Sequence, residues 1–94
     1  MKDVVIGQEI GVRGDVNPGP FGDEYLVTIE TISGPISGFV PERDVKNVHN
    51  GEGLVRAIVK AIDTNVITVW ISGSFFTTTG LAQIPPHIAA AALN

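Results

Sequence analysis

The densest run of apolar positions lies between Gly51 and Ser72, GEGLVRAIVKAIDTNVITVWIS, and predicts two long antiparallel strands joined at Asp63-Thr64-Asn65. In the second limb, Val66 to Ile71 are nearly all β-branched or aromatic, types that fit a pleated surface better than a helix. The first limb carries two periods at once. Leu54, Val55, Ile58, Val59 and Ile62 fall on one face at helical spacing, with Arg56 and Lys60 on the other, which an amphipathic helix would also produce. Its shortness, the glycines before it and the turn residues after it favour a strand.

Earlier in the chain, Ile10, Val12 and Val16 alternate with Glu9, Gly11, Arg13 and Asp15, the period of a half-buried strand beginning near Gln8. Asn17-Pro18-Gly19-Pro20-Phe21-Gly22 can only be a turn or loop. Glu24 to Ile32 is a second strand, closed by Ser33-Gly34-Pro35, and Ile36 to Pro41 a short third one. From Glu42 to Gly53 the chain turns polar and loses its period. This is the predicted long connection, with one helical turn around Pro41 to Val45, and functional residues concentrate in such segments. Beyond Ser72, Gly73 to Gly80 reads as loop or irregular strand, and Pro86 before the alanine run predicts a short helix. A helix of that length holds only when docked on the barrel or on a second copy.

Composition narrows the picture. The 94 residues make one domain with one modest core, here a β-barrel over 1–72 and a C-terminal extension, 73–94, packing on the barrel or on a partner. Eleven glycines and six prolines punctuate the chain at roughly ten-residue intervals, the spacing of short strands in an all-β fold. The chain has no cysteine, which excludes disulfides, a thiolate nucleophile and zinc sites of the cysteine type. No apolar run has the length of a signal sequence or a membrane span, so a cytoplasmic protein with no membrane partner is expected. The net charge of −4 repels nucleic acid at long range, and any such binding needs a local basic patch. Arg13-Gly14-Asp15 spells an integrin-recognition tripeptide, but it sits inside a predicted strand and is read as a chance occurrence.

Five strands with a long connection between the third and fourth is the order of an OB barrel. An SH3-like barrel, with similar punctuation, is the alternative. In that order, Phe21-Gly22, Gly38-Phe39-Val40-Pro41, Gly51-Glu52, Ile62-Asp63 and Ile71-Ser72 stand where the RNA-binding OB domains repeated in the largest protein of the bacterial small ribosomal subunit carry similar residues. The chain from about Gly7 to Ser72 resembles that family, and Gly22 to Glu30 partly resembles the TRAM domain, a related RNA-binding module. The resemblance implies a non-catalytic module that binds single-stranded RNA or DNA. Carried over singly, its binding residues are Phe21, Tyr25 and Phe39 for base stacking, with Arg43 or His49 beside them, and Lys46, near the same face, joins Arg43 as an expected phosphate contact. The acidic Asp23, Glu24 and Glu30 on the same candidate face depart from the family, as does the C-terminal segment.

The second reading belongs to another class: a small β-barrel interaction or assembly protein forming homo-oligomers. Trp70 has the opposite parity to Ile67, Val69 and Ile71, so it lies on the other face of its strand, covered by the tail or exposed to a partner. Trp70, Phe75 and Phe76 are the candidate partner interface. Glu42, Asp44 and His49 have no metal or acid–base spacing and read as solvated loop charges, and His87 reads as a helix-start residue. The hydroxyls of Ser72, Ser74 and Thr77 to Thr79 have no paired histidine. No catalytic residue, metal or cofactor is expected.

Overall fold

The computed structural model describes residues 4–75 and 79–90. Its three predicted N-terminal strands form a meander: β1 (Glu9–Pro18), β2 (Glu24–Thr31) and β3 (Gly34–Pro41). A 3-10 turn, Glu42–Asp44, leads into β4 (Val45–His49). The apolar pair follows as β5 (Glu52–Ile62) and β6 (Ile67–Ile71). The chain then adds β7 (Ser74–Phe75), β8 (Leu81–Ile84), a 3-10 turn at Pro86–Ile88 and β9 (Ala89–Ala90). All pairings are antiparallel and belong to one sheet, ordered β7-β3-β2-β1-β5-β6-β8, with β4 on β5 and β9 on β1.

The first apolar limb is a strand. From Gly53 to Lys60 burial alternates, with Gly53, Val55, Ala57 and Val59 inward and Leu54, Arg56, Ile58 and Lys60 outward, before a register shift at the end of the strand. Period two outcompetes the helical reading because β1 and β6 flank it and satisfy its backbone on both sides. Inward residues of β1, β2, β5, β6 and β8, among them Ile10, Val12, Val27, Ile29, Val59, Ile67 and Ile84, fill one core. Burying each such side chain contributes about 1.5–3 kcal/mol.

A pair of facing glycines lets the sheet curl. Gly14 of β1 is registered with Gly53 of β5, at the point where β1 passes from pairing β5 to pairing β2. A Cβ at Gly14 would stand 2.9 Å from the Thr28 carbonyl oxygen, and one at Gly53 3.1 Å from Val16 Cγ2. Only a backbone without side chains permits that approach.

Several expectations are corrected. The all-β class holds, but the sheet is a curled half-barrel with more strands than the five expected. β3 and β6 do not pair with each other: β7 takes the edge of β3, and β8 takes that of β6. One further tie crosses the opening, where the Ile32 N–H donates to the Gln83 carbonyl at 2.9 Å. The long connection holds a strand, β4, beside the expected helical turn. The C-terminal helix is not formed over the described residues. β1 has an open edge at Gly11 and Val12, because β2 joins it only from Asp15 onward, and Ala89 and Ala90 fill that edge. Backbone pairing there overrides the helix propensity of a run too short to hold a helix alone.

Candidate functional site

The residues expected to form one stacking face are not brought together. Phe21 is 69% exposed in the β1–β2 loop. Tyr25 packs inward against the core and is registered with Val40, whereas Phe39 is registered with Leu26, one position on, and leaves β3 by the outer face. Tyr25 and Phe39 therefore stand on opposite faces of the same hairpin. His49, at the end of β4, lines a groove of about 460 Å³ with Arg13, Asp15, Glu30 and Glu52. Three carboxylates make that groove acidic, and it is the wrong sign for a phosphate chain. Arg13 and Asp15 of the integrin-like tripeptide are strand residues there, paired to Leu54 and Glu52.

The cations gather elsewhere. Lys46 of β4 is registered with the outward Leu54, and the same outward row of β5 continues through Arg56, Ile58 and Lys60. Arg43, in the preceding 3-10 turn, lines a cleft of about 280 Å³ with Arg56, Ile58, Trp70 and Ser72. Four of the chain's six lysines and arginines thus share the outer surface of β4 and β5. The spacing of Arg56 and Lys60 on one face was readable in the sequence, where it also allowed a helix. Nothing in the sequence placed Arg43 opposite Trp70.

Two carboxylates on that surface are both occupied by one cation. Arg56 is hydrogen-bonded to Glu9 through its Nε, and its Nη1 lies 3.6 Å from Asp44 Oδ1. The Glu9 hydrogen bond and charge raise the Arg56 pKa above its ordinary value; desolvation works against them, and Asp44 adds a lesser push upward. Asp44 was expected to be a solvated loop charge, but it is 4% exposed, held under Arg56. Arg43, Lys46 and Lys60 have no ion-pair partner among the described residues.

Trp70 faces outward as its parity required and is 41% exposed. The tail covers it in part: Leu81 of β8 is its registered neighbour, and a Cβ at Gly80 would stand 3.0 Å from the indole Nε1. Phe75 belongs to β7 by its backbone, and Phe76 lies outside the described residues. His87 sits exposed in the second 3-10 turn. Among the described residues no group of three or more acidic or histidine side chains could hold a metal, and no helix is long and apolar enough to cross a membrane. Comparison of the chain with protein-family models, with curated proteins and with solved structures gives no match.

Proposed function

We propose that this domain is a non-catalytic binding module of OB type whose ligand is single-stranded nucleic acid, RNA before DNA. The order of the long strands supports the OB assignment. β1 to β3 form a meander, a long connection follows, and β5 pairs with β1 before turning into β6. The half-barrel is then an OB-type sheet whose closing step is taken over by the C-terminal strands.

The observation that carries the ligand class is the segregation of charge. On a molecule of net charge −4, Arg43, Lys46 and Lys60 have no ion-pair partner among the described residues and lie on or beside the outward row of β5 that continues across to the exposed Trp70, while Asp15, Glu30 and Glu52, with Arg13, line the groove at the start of that row. A local basic surface with an aromatic ring is what tracking a phosphate chain and stacking its bases requires. The net charge of −4 opposes this local attraction at long range and makes binding modest, and the phosphate contacts make it dependent on salt.

The test is an amide NMR titration of the labelled chain with a short mixed-sequence RNA at low and at physiological salt. Shifts should cluster on 43–46, 56–60 and 70 and weaken with salt, with a slope of about −0.7 per phosphate neutralised. No shifts at low salt would overturn the reading. A second reading, self-assembly, rests on the outward row Ile58, Trp70 and Leu81, which is apolar and adjacent across three strands. Sedimentation that depends on protein concentration would favour it, although like net charge on both copies opposes it.

A further inference from the structure

We infer that the cleft between Arg43 and Trp70 is a single-nucleotide subsite, in which a base stacks on the indole and its phosphate is held by the Arg43 guanidinium. This rests on the nucleic-acid reading and names the place where one unit of the strand is gripped. The cleft is bounded by Arg43, Asp44, Arg56, Ile58, Trp70 and Ser72 and encloses about 280 Å³. That lies just under the roughly 300–1,000 Å³ of pockets for drug-sized ligands, and suits one planar ring with its phosphate.

Each wall has a distinct part. Trp70 is presented rather than loose. A Cβ at Gly80, where the left-handed φ of 73° favours a residue without a side chain, would stand 3.0 Å from the indole Nε1, so the backbone passes close to the pyrrole edge, and Leu81 stands beside it. A ring already fixed in place loses little rotamer freedom on stacking. Arg43 has no ion-pair partner among the described residues, so its fork of donors is open to a phosphate. Arg56 is a wall and not a second phosphate ligand. Bonded to Glu9 and set against Asp44, it offsets only one of the two negative charges there, so the attraction for a phosphate comes from Arg43. Ser72 is the one side-chain hydroxyl in the lining, so the subsite reads the presence of a base more than its identity.

The ligand chemistry, a nucleoside monophosphate unit, could come from a strand or from a free nucleotide, and the test separates the two. Trp70 is the only tryptophan, so intrinsic fluorescence reports on this cleft directly. The full chain would be titrated with a mixed-sequence RNA octamer and with uridine and adenosine monophosphates at low salt, alongside anisotropy of end-labelled octamer. We expect the octamer to quench Trp70 fluorescence far below the concentrations at which a mononucleotide does. Trp70→Ala should weaken octamer binding about 5- to 150-fold, the range of one lost base stack, and Trp70→Phe should recover most of it. Arg43→Ala should lower affinity and cut the salt slope by about 0.7, whereas Arg43→Lys should keep the slope. Amide spectra of each variant check that the fold is intact.

Octamer binding by anisotropy with unchanged Trp70 fluorescence, and unchanged affinity in Trp70→Ala and Arg43→Ala, would overturn the subsite and leave the nucleic-acid reading standing. Quenching by mononucleotide with no octamer binding would keep the subsite and overturn the strand as its ligand. No response to either ligand would overturn both.

Discussion

Asp44 and Arg56 stand 3.6 Å apart, Oδ1 to Nη1, joining the 3-10 turn after β3 to the middle of β5. Asp44 is the one buried polar side chain among the described residues, and the guanidinium over it is half exposed. This pair fixes the turn against the sheet, and Arg43, its neighbour in sequence, is thereby set on the cleft that Trp70 lines. Removing the cation would leave a buried carboxylate uncompensated, which costs more than the pair itself was worth. Arg56→Met should therefore lower the urea midpoint, and Asp44→Asn added to it should restore part of the loss. Strictly additive effects in the double-mutant cycle would mean the pair does not hold the turn.

The Gly14–Gly53 crossing makes a sharper claim about the fold. A methyl at Gly14 meets the Thr28 carbonyl oxygen at 2.9 Å and Ile29 Cγ1 at 3.2 Å, and the carbonyl belongs to backbone that β2 cannot shift freely. Gly14→Ala should cost about 1–3 kcal/mol, the range for overpacking. At Gly22 a Cβ would meet nothing within 4 Å, so Gly22→Ala should stay within about 0.5 kcal/mol. Thermal midpoints check both, at about 4–8 °C per kcal/mol for a domain of this size.

The tail is a working part of the core. Ile84 of β8 is fully buried and registered with the equally buried Ile67, while Leu81, three residues earlier, is 39% exposed on the outer face. Ile84→Ala should destabilise by about 2–5 kcal/mol, a cavity in the sheet's interior, and Leu81→Ala by no more than about 0.5 kcal/mol. Equal small effects would mean that β8 lies on the domain without being needed by it. Urea denaturation separates these outcomes.

These residues also mark how far the sequence could be read. The alternation in β1, β5 and β6 was legible because one face of each is buried and the other is not. β4 was not, since only Val45 of its five residues turns inward and the other four are exposed, leaving no period to detect. β9 was not, because Ala89 and Ala90 are strand only by virtue of an open edge at Gly11 and Val12, far away in the chain. The site suffered in the same way. Residue types suggested Arg43 for nucleic acid and Trp70 for a partner protein, and only the folding of the 3-10 turn onto β5 puts them in one cleft. Burial of Asp44 likewise depends on Arg56, a residue of another element.

The unpaired lysines and the acidic groove should respond differently to loss of charge. Lys46→Ala and Lys60→Ala each remove an unpaired cation from the proposed binding surface, and each should reduce the salt slope of RNA affinity by about 0.7. Asp15→Asn and Glu30→Gln, in the acidic groove, should leave that slope unchanged. Fluorescence titrations at several salt concentrations would decide this. A slope lowered by the groove variants and not by the lysines would move the ligand to the other surface.

The register of β8 on β6 can be tested by covalent chemistry, because the chain has no cysteine of its own. The Ile71 N–H donates to the Gly80 carbonyl at 3.0 Å, which makes that a hydrogen-bonded pair position. Alternation from there makes Trp70–Leu81 and Thr68–Gln83 non-hydrogen-bonded pairs, whose side chains approach most closely. That separation suits a disulfide, which needs Cβ atoms about 3.5–4.5 Å apart. Thr68→Cys with Gln83→Cys should thus oxidise spontaneously in air. The bond closes a loop near the ~15-residue case and should stabilise by up to about 3 kcal/mol, lost on reduction. Thr68→Cys with Ala82→Cys is the control, since Ala82 points into the core and the outward Thr68 cannot reach it. A mass loss of two hydrogens in the control and not in the first variant would mean that β8 sits one residue out of the register described, with Trp70 deprived of Leu81 as its neighbour.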